Sequence, residues 1–425
     1  MKKILMTLLV LMTLSASLNA QWYLFPGKKA SRTPDTVAVA AVADTVAARP
    51  APVYVSDTLA VLSDTLVAAL PDSLAVLPDS LAAPEFVLDI PEVIGVSLLL
   101  PLKSTTENPS ANFLEYYSGA LMAVRDLGES GLRINLNVYD TADRRSAPSD
   151  EQLQISDVII GPVGRADIEA LLPRCPEGKF IVSPLEPGAA ALADSGRVVQ
   201  VPAPWTAQID EMVRWLAEDT GFLDKVLVLT EEKPAQNSAQ SDYLRERLVQ
   251  EGIACQYLFA DEFTGLDILG KTRVIVDSQD DMFLCKTINN LARISENGGN
   301  VVLYSTSKVR SLEGISSTSL YLCNTRMTAN YYIDYSSPEV KEFILDYRSL
   351  FAAEPSSFAF QGYDLMHYFV SLCSTWGRQW QMKLPEFRQE GLQSDFIFEQ
   401  SDKTGSVNTA TRRIIYSPDL STTLQ

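Results

Sequence analysis

The strongest constraint on the fold lies between Glu92 and Pro204, where short, nearly continuous Val/Ile/Leu runs alternate with amphipathic segments. Val93 to Leu102 is apolar almost throughout and ends in a polar loop, 103–112. Phe113 to Leu127 carries its apolar residues at helical spacing, and Leu132–Tyr139, Ser156–Pro162, Lys179–Pro184 and Val198–Val201 are further runs of strand length. A strand buried on one face alternates apolar with polar residues, whereas a strand covered on both faces does not. The segment therefore predicts an α/β fold with a parallel sheet and helices on both faces. In such sheets ligands sit beyond the carboxyl ends of the strands, so the same pattern says where to look for a site.

A second series of the same kind follows. Thr206–Glu218 is expected to be a helix with Ile209, Met212, Val213, Trp215 and Leu216 on its apolar side. Strands are expected at Lys225–Thr230, Cys255–Phe259, Arg273–Asp277, Asn300–Tyr304 and Ser319–Cys323, and helices at Ser238–Gln250 and Met282–Ile294. Two long helices, Pro338–Phe351 and Phe360–Trp376, come next. Phe396–Gln400 and Arg412–Tyr416 read as a closing hairpin with Gly405 and Asn408 in its turn. The pattern gives two similar lobes with a cleft between them. Lobe one is placed at about 92–203 and 328–389, and lobe two at about 204–327 and 390–425. Hinge strands are expected near Pro202–Pro204 and Thr325–Met327.

The N-terminus reads as a cleavable secretory signal over 1–20: Lys2 and Lys3, an apolar Ile4–Leu14 run, then small residues to Ala20. No Cys follows that site before Cys175, so a periplasmic chain without a lipid anchor is expected. Residues 21–91 are a low-complexity repeat rich in Ala, Val, Pro, Asp, Ser and Thr, with Ser56-Asp57-Thr58-Leu59 recurring at about heptad spacing. Pro71 and Pro78 break the leucine stripe, which favours a disordered tether over a coiled coil. The five cysteines are widely spaced with no C-x-x-C, so buried, unreactive thiols are expected and no zinc or redox motif is.

The net charge of −18 excludes nucleic acid as a partner, since a polyanion needs a basic surface. The chain holds one histidine, His367, inside an expected helix, which leaves no basis for a His-based metal cluster and little for a Ser/His/Asp triad. No nucleophile elbow, P-loop or dinucleotide fingerprint is present. No catalytic residue, metal or cofactor is expected, and the chain reads as a non-enzyme.

Several local patterns, taken in order, resemble the type I periplasmic substrate-binding proteins, the leucine/isoleucine/valine-binding class. They are Ile94-Gly95-Val96, Tyr117-Ser118-Gly119-Ala120, Ser156–Pro162, Phe180-Ile181-Val182-Ser183-Pro184, and Gln361-Gly362-Tyr363-Asp364. The resemblance spans Glu92 to Gln425. It implies a two-lobe fold with a multi-strand hinge that closes over a small polar ligand, such as an amino acid, for an ABC-type transporter or receptor. Loop residues at the carboxyl ends of the expected strands are the candidates for ligand contact: Ser104, Arg165, Ser183 and Glu186 in lobe one, and Thr230, Glu231, Asp277, Ser278 and Ser305 in lobe two. Amino-acid binders of the class usually carry small hydroxyl residues after Gly-Pro and after Ile-Ser-Pro. Here Arg165 and Glu186 follow those turns, so a free branched-chain amino acid is disfavoured, and the two side chains are candidates for an ion pair across adjacent loops. The alternative implied by the fold is an envelope-interaction protein, similar to penicillin-binding-protein activators, that regulates peptidoglycan synthesis without transport.

Overall fold

The computed structural model describes residues 88–192, 197–231, 238–260, 271–400 and 405–425. The expected signal peptide and all but the last few residues of the expected tether lie outside the described residues. The first lobe opens with β1 (Ile94–Leu100), α1 (Ala111–Glu129), β2 (Ile134–Asp140), α2 (Asp150–Ile155), β3 (Val158–Ile160), α3 (Arg165–Leu171), β4 (Ile181–Ser183) and β5 (Val198–Gln200). These strands are parallel, in the order β5-β4-β3-β1-β2. Side chains alternate between two cores. Val96, Leu98, Ile160 and Val182 pack with Tyr116 and Ala120 of α1, whereas Leu99, Ile159 and Ile181 pack with Leu153 and Leu171. Burial on both faces is what removed polar alternation from the sequence.

The second lobe repeats the plan with α4 (Trp205–Asp219), β6 (Lys225–Thr230), α5 (Ala239–Gln250), β7 (Cys255–Phe259), β8 (Thr272–Asp277), α6 (Asp281–Glu296), β9 (Val301–Thr306), α7 (Lys308–Ser311), α8 (Ser317–Leu322) and β10 (Arg326–Ala329). Its parallel strands lie in the order β10-β9-β8-β6-β7. Val226, Val228 and Ile275 face Trp215 and Leu244; Leu227, Leu229 and Val274 face Ile288 and Leu291.

The chain then returns. Helices α9 (Pro338–Phe351) and α10 (Ser357–Trp376) pack beside α1, with Leu365 and Phe369 of α10 in the first lobe's main core. The α1–α10 contact is backbone against backbone. A Cβ at Gly119 would stand 1.8 Å from Ala359 O, and one at Gly362 would stand 2.0 Å from Tyr116 O. Both glycines belong to motifs singled out in the sequence, and this close approach is their physical reason.

The tail departs from the expected hairpin. After a short ribbon of β11 (Gln389–Glu390) and β12 (Asp395–Phe396), β13 (Phe398–Gln400) pairs antiparallel with β14 (Ser406–Asn408), and β14 lies parallel on β5. Gly405 passes so close to β5 that a Cβ there would stand 1.8 Å from Val198 O. β15 (Arg412–Tyr416) instead pairs antiparallel with β10 and with β16 (Thr422–Leu424). Each lobe thus owns a seven-stranded sheet, and 398–408 completes the first rather than the second. The expected strand at Ser319–Cys323 is the end of α8, whose N-cap Ser316 accepts from Ser319 N; a short apolar run does not distinguish strand from helix. β10 belongs to the second sheet, so the second crossing begins after Ala329 and not at Thr325–Met327.

The connections orient the sheets. Residues 201–204 lead from the carboxyl end of β5 straight into α4, which runs back along the sheet to the start of β6. The second crossing leaves from the carboxyl end of β10. Both sheets therefore turn their carboxyl ends toward the junction, where a ligand cleft belongs. The crossings are tied together: Asn330 Nδ2 donates to Ala203 O at 2.9 Å, and Tyr332 N to Gln393 O at 2.8 Å. Arg412, buried, donates to Tyr332 O at 2.7 Å and grips Asp395 through two nitrogens at 3.1 and 2.6 Å.

Candidate ligand cleft

The wall formed by lobe one begins at the end of β2. Asp140 accepts from Ser104 N and Ser104 Oγ, both at 2.7 Å, and from Lys103 N and Ala142 N. Burial works to raise the Asp140 carboxyl, but these donors outweigh it and hold it below the ordinary carboxylate range. Ser104 is thereby committed to shaping the 103–106 turn. Gly161, at φ 91°, precedes a cis Pro162 and lies so close to Leu99 O that a Cβ would stand 2.1 Å from it. Ser183 closes β4 completely buried, and its Oγ has no hydrogen-bond partner. Gln361 of α10 donates to Pro184 O at 3.3 Å.

Arg165 and Glu186 come together, though not as a salt bridge. The Arg165 guanidinium turns along its own helix to Glu169 at 3.1 Å, an exposed i,i+4 pair worth only a few tenths of a kcal/mol (about 0.3–0.5). The Arg165 backbone amide at the start of α3 lies near the Glu186 carboxyl. Burial pushes the Glu186 carboxyl up, against the pull of the nearby Arg165 charge and amide. Sequence spacing identified the neighbours, but the rotamer that sends the guanidinium to Glu169 depends on the helix beginning at Arg165.

The wall formed by lobe two is better assembled. Thr230 and Asp277 stand in register at the ends of β6 and β8. Asp277 accepts from Ser241 Oγ of α5 at 2.7 Å, and burial pushes its carboxyl up against that bond. Ser278 Oγ donates to Glu231, and Ser305 Oγ to Thr306 O at 3.2 Å. Asp277, Ser278 and Ser305 line a small, open pocket of about 70 Å³. Ile209 and Met212 of α4, Leu244 of α5 and Ile275 of β8 supply its apolar surface. Gln240, Gln279 and Lys308 add polar groups that sequence reading missed. The available signal was their position, at or just before helix starts that follow strands in the same βα pattern. Lys308 Nζ is held by Gln279 O at 3.0 Å and Asp281 at 3.2 Å. Gln208 of α4 accepts from Ser307 N and Ser307 Oγ, both at 3.0 Å, fixing the pocket's far rim.

The structure gives His367 a packing environment. Its Nδ1 meets Gln389 Nε2 at 2.6 Å, its ring lies 5.8 Å from that of Tyr363, and burial pulls its pKa down. Among the described residues no group of His, Cys, Asp or Glu is placed to hold a metal ion. All five cysteines are free, and burial pushes the Cys323 and Cys373 thiols up to about 12. No helix of the described residues is long and apolar enough to cross a membrane.

No protein-family model matches this chain, and no curated protein does. Among solved structures it is similar to a putative branched-chain amino acid ABC transporter from Rhodospirillum rubrum, with a TM-score of 0.52 and 15% identity over 78% of this chain and 98% of that one. It is also similar to full-length LpoA from Haemophilus influenzae (TM-score 0.47, 13% identity, 80% of this chain and 60% of that one). A third is an ABC transporter substrate-binding protein from Desulfitobacterium hafniense in complex with Leu (TM-score 0.44, 13% identity, 79% of this chain and 100% of that one). The first likeness, with the two matching sheets, gives the architecture: a two-lobe type I periplasmic binding fold.

Proposed function

We propose that this chain, having the two-lobe fold of the periplasmic binding proteins, is a solute-binding protein that holds a small polar ligand in its cleft. In this reading it works without catalysis and delivers the ligand to a membrane transporter or receptor. The observation that carries the reading is the pocket at the carboxyl ends of β8 and β9, where apolar side chains and a few convergent polar groups meet, as ligand sites require. The test is thermal unfolding of the protein with a panel of anionic, zwitterionic, neutral and cationic solutes. A ligand that binds only the native state raises Tm in proportion to the logarithm of its excess over Kd. A flat response across the panel overturns the proposal.

One observation favours a second reading, that of an envelope-interaction protein. Phe222 and Leu223 are 101% and 74% exposed on the turn before β6, at the end of the second sheet opposite the pocket. A large exposed apolar pair suits contact with another protein. Under this reading Phe222→Ser abolishes co-purification of an envelope partner and leaves every solute response unchanged. Co-purification that survives the substitution rejects it.

A further inference from the structure

The turn that exposes Phe222 and Leu223 is braced from within. Asp224 N donates to Gly221 O at 3.0 Å, and Gly221 N donates to the Asp224 carboxylate at 2.9 Å. Asp224 also accepts at 2.9 Å from Nε of Arg273, a side chain at the start of β8 that is itself buried. The other arms of that guanidinium donate to Asp219 O, at the end of α4, and to the buried Tyr304 OH of β9 at 2.6 Å. The turn is thereby tied to α4, β8 and β9, and it holds two large apolar side chains out in solvent. A contact carried on a preorganised support loses little conformational freedom on binding.

The charge beside the turn is positive, in a chain whose net charge is −18. Asp219 and Asp224, the acids on either side of Phe222 and Leu223, are met by Arg326 at 3.7 Å and by Arg273 at 2.8 Å. Lys225 opens β6, and its backbone N–H donates to Lys271 O at 3.1 Å, which sets the two residues side by side at the starts of adjacent strands. Both lysines are exposed, and among the described residues neither meets an acid. Glu296 and Asp419 come to this end of the sheet without a cation, but on the connections into β9 and β16, two or more strands from β6.

We propose that this turn is where the chain meets an envelope protein, and that the partner receives Phe222 and Leu223 in an apolar pocket rimmed by carboxylates. This rests on the envelope-interaction reading. Such a pocket removes the two side chains from water, and its rim complements Lys225 and Lys271, which speeds encounter and fixes orientation. A second copy of the chain does not supply that rim, because a two-fold contact through this turn sets lysine against lysine. An anionic bilayer attracts the lysines but repels a chain of this net charge.

The experiment places a photo-reactive side chain beside Phe222 in the full chain, as Leu223→p-benzoylphenylalanine. The protein is irradiated with detergent-solubilised envelope membranes of the native cell, and the labelled site is mapped by mass spectrometry. An adduct with a protein is expected, on an apolar surface bordered by Asp or Glu. Its yield should fall about tenfold or more when Phe222→Ser is added, as for the loss of an anchoring aromatic. It should fall about tenfold or more with Lys225→Glu and Lys271→Glu together, and persist with Lys225→Arg and Lys271→Arg. A Tm equal to the parent's establishes that each variant is folded. A protein adduct that survives the charge reversal, or whose labelled site has no carboxylates, overturns this inference and leaves the envelope-interaction reading standing. Adducts confined to lipid or to a second copy, or no adduct at all, overturn it together with that reading.

Discussion

Replacing Gly362 by alanine tests whether the α1–α10 contact organises the first lobe. The new Cβ would stand 2.0 Å from Tyr116 O, and ordinary contact begins at 3.4 Å, so the helices must part by about 1.4 Å if nothing else yields. Both colliding groups are backbone or fixed to it, so no side chain can swing away. A radial gap of about 0.5–1 Å already forfeits a quarter to a half of the dispersion well, and the opening would run along a contact that includes Tyr116, Ala120 and Phe360. Overpacking costs about 1–3 kcal/mol as a rule, and this site belongs at the top of that range; alanine's helix propensity returns roughly 1 kcal/mol. A net loss of about 2 kcal/mol is therefore expected, measured by urea unfolding through tryptophan fluorescence and far-UV circular dichroism. Gly119→Ala, whose Cβ would meet Ala359 O at 1.8 Å, should behave alike. The double variant should lose less than the sum, because one separation accommodates both methyls, with a coupling of about 1 kcal/mol. Gly128→Ala is the control. It lies in the same helix with nothing within 4 Å and should stabilise by up to about 1 kcal/mol. A Gly362→Ala protein within about 0.5 kcal/mol of the parent, or strict additivity in the double variant, would refute the reasoning.

Asp364, fully buried, accepts from Leu392 N at 2.7 Å, Gln393 N at 2.9 Å and Ser394 N at 3.0 Å, and burial raises its pKa from 3.8 to about 6. A raised carboxyl contributes stability that is fully present below pH 3.8 and lost as pH climbs through about 6, an effect of about 3 kcal/mol. Asp364→Asn removes that dependence, so its destabilisation should be markedly larger at pH 4 than at pH 7.5 in urea titrations; an equal cost at both rejects the titration. Arg412→Ala strands the partly buried Asp395 carboxylate and the Gly391, Leu392 and Tyr332 carbonyls, and should cost about 3 kcal/mol by the same measurement. Cys323 and Cys373 should resist a thiol reagent at pH 8 until the protein is unfolded, since their thiols are held near 12; rapid labelling of either in the native protein contradicts that.

Both parallel sheets were legible in the sequence because a strand buried on two faces leaves an unmistakable record, as in Ile94–Leu100 and Lys225–Thr230. The tail was not, because β13 and β14 are three residues each and their placement on β5 is settled by a contact some two hundred positions away, Gly405 against Val198. The site divides similarly. Asp277 and Ser305 follow from strand ends alone. Gln240 and Lys308 reach the same pocket only because α5 and α7 begin beside those ends, which no local pattern specifies. Ser104 was placed at the right strand end, yet its hydroxyl is spent on Asp140, a partner 36 residues away.

The same wiring joins the pocket to the hinge. Helix α4 starts directly after the first crossing, lays Ile209 and Met212 into the pocket, and through Gln208 accepts from Ser307 on its rim. Thr328 Oγ1 of β10, the strand that begins the second crossing, donates to the Gln208 carbonyl at 2.8 Å. Gln208 therefore ties the loop after β9, beside the pocket, to the roots of both crossings. On the other side of the joint, Asp364 of α10 and Arg412 of β15 grip the same 391–395 segment from the two lobes, one through its amides and one through its carbonyls and Asp395. These bonds fix the 391–395 segment to both lobes.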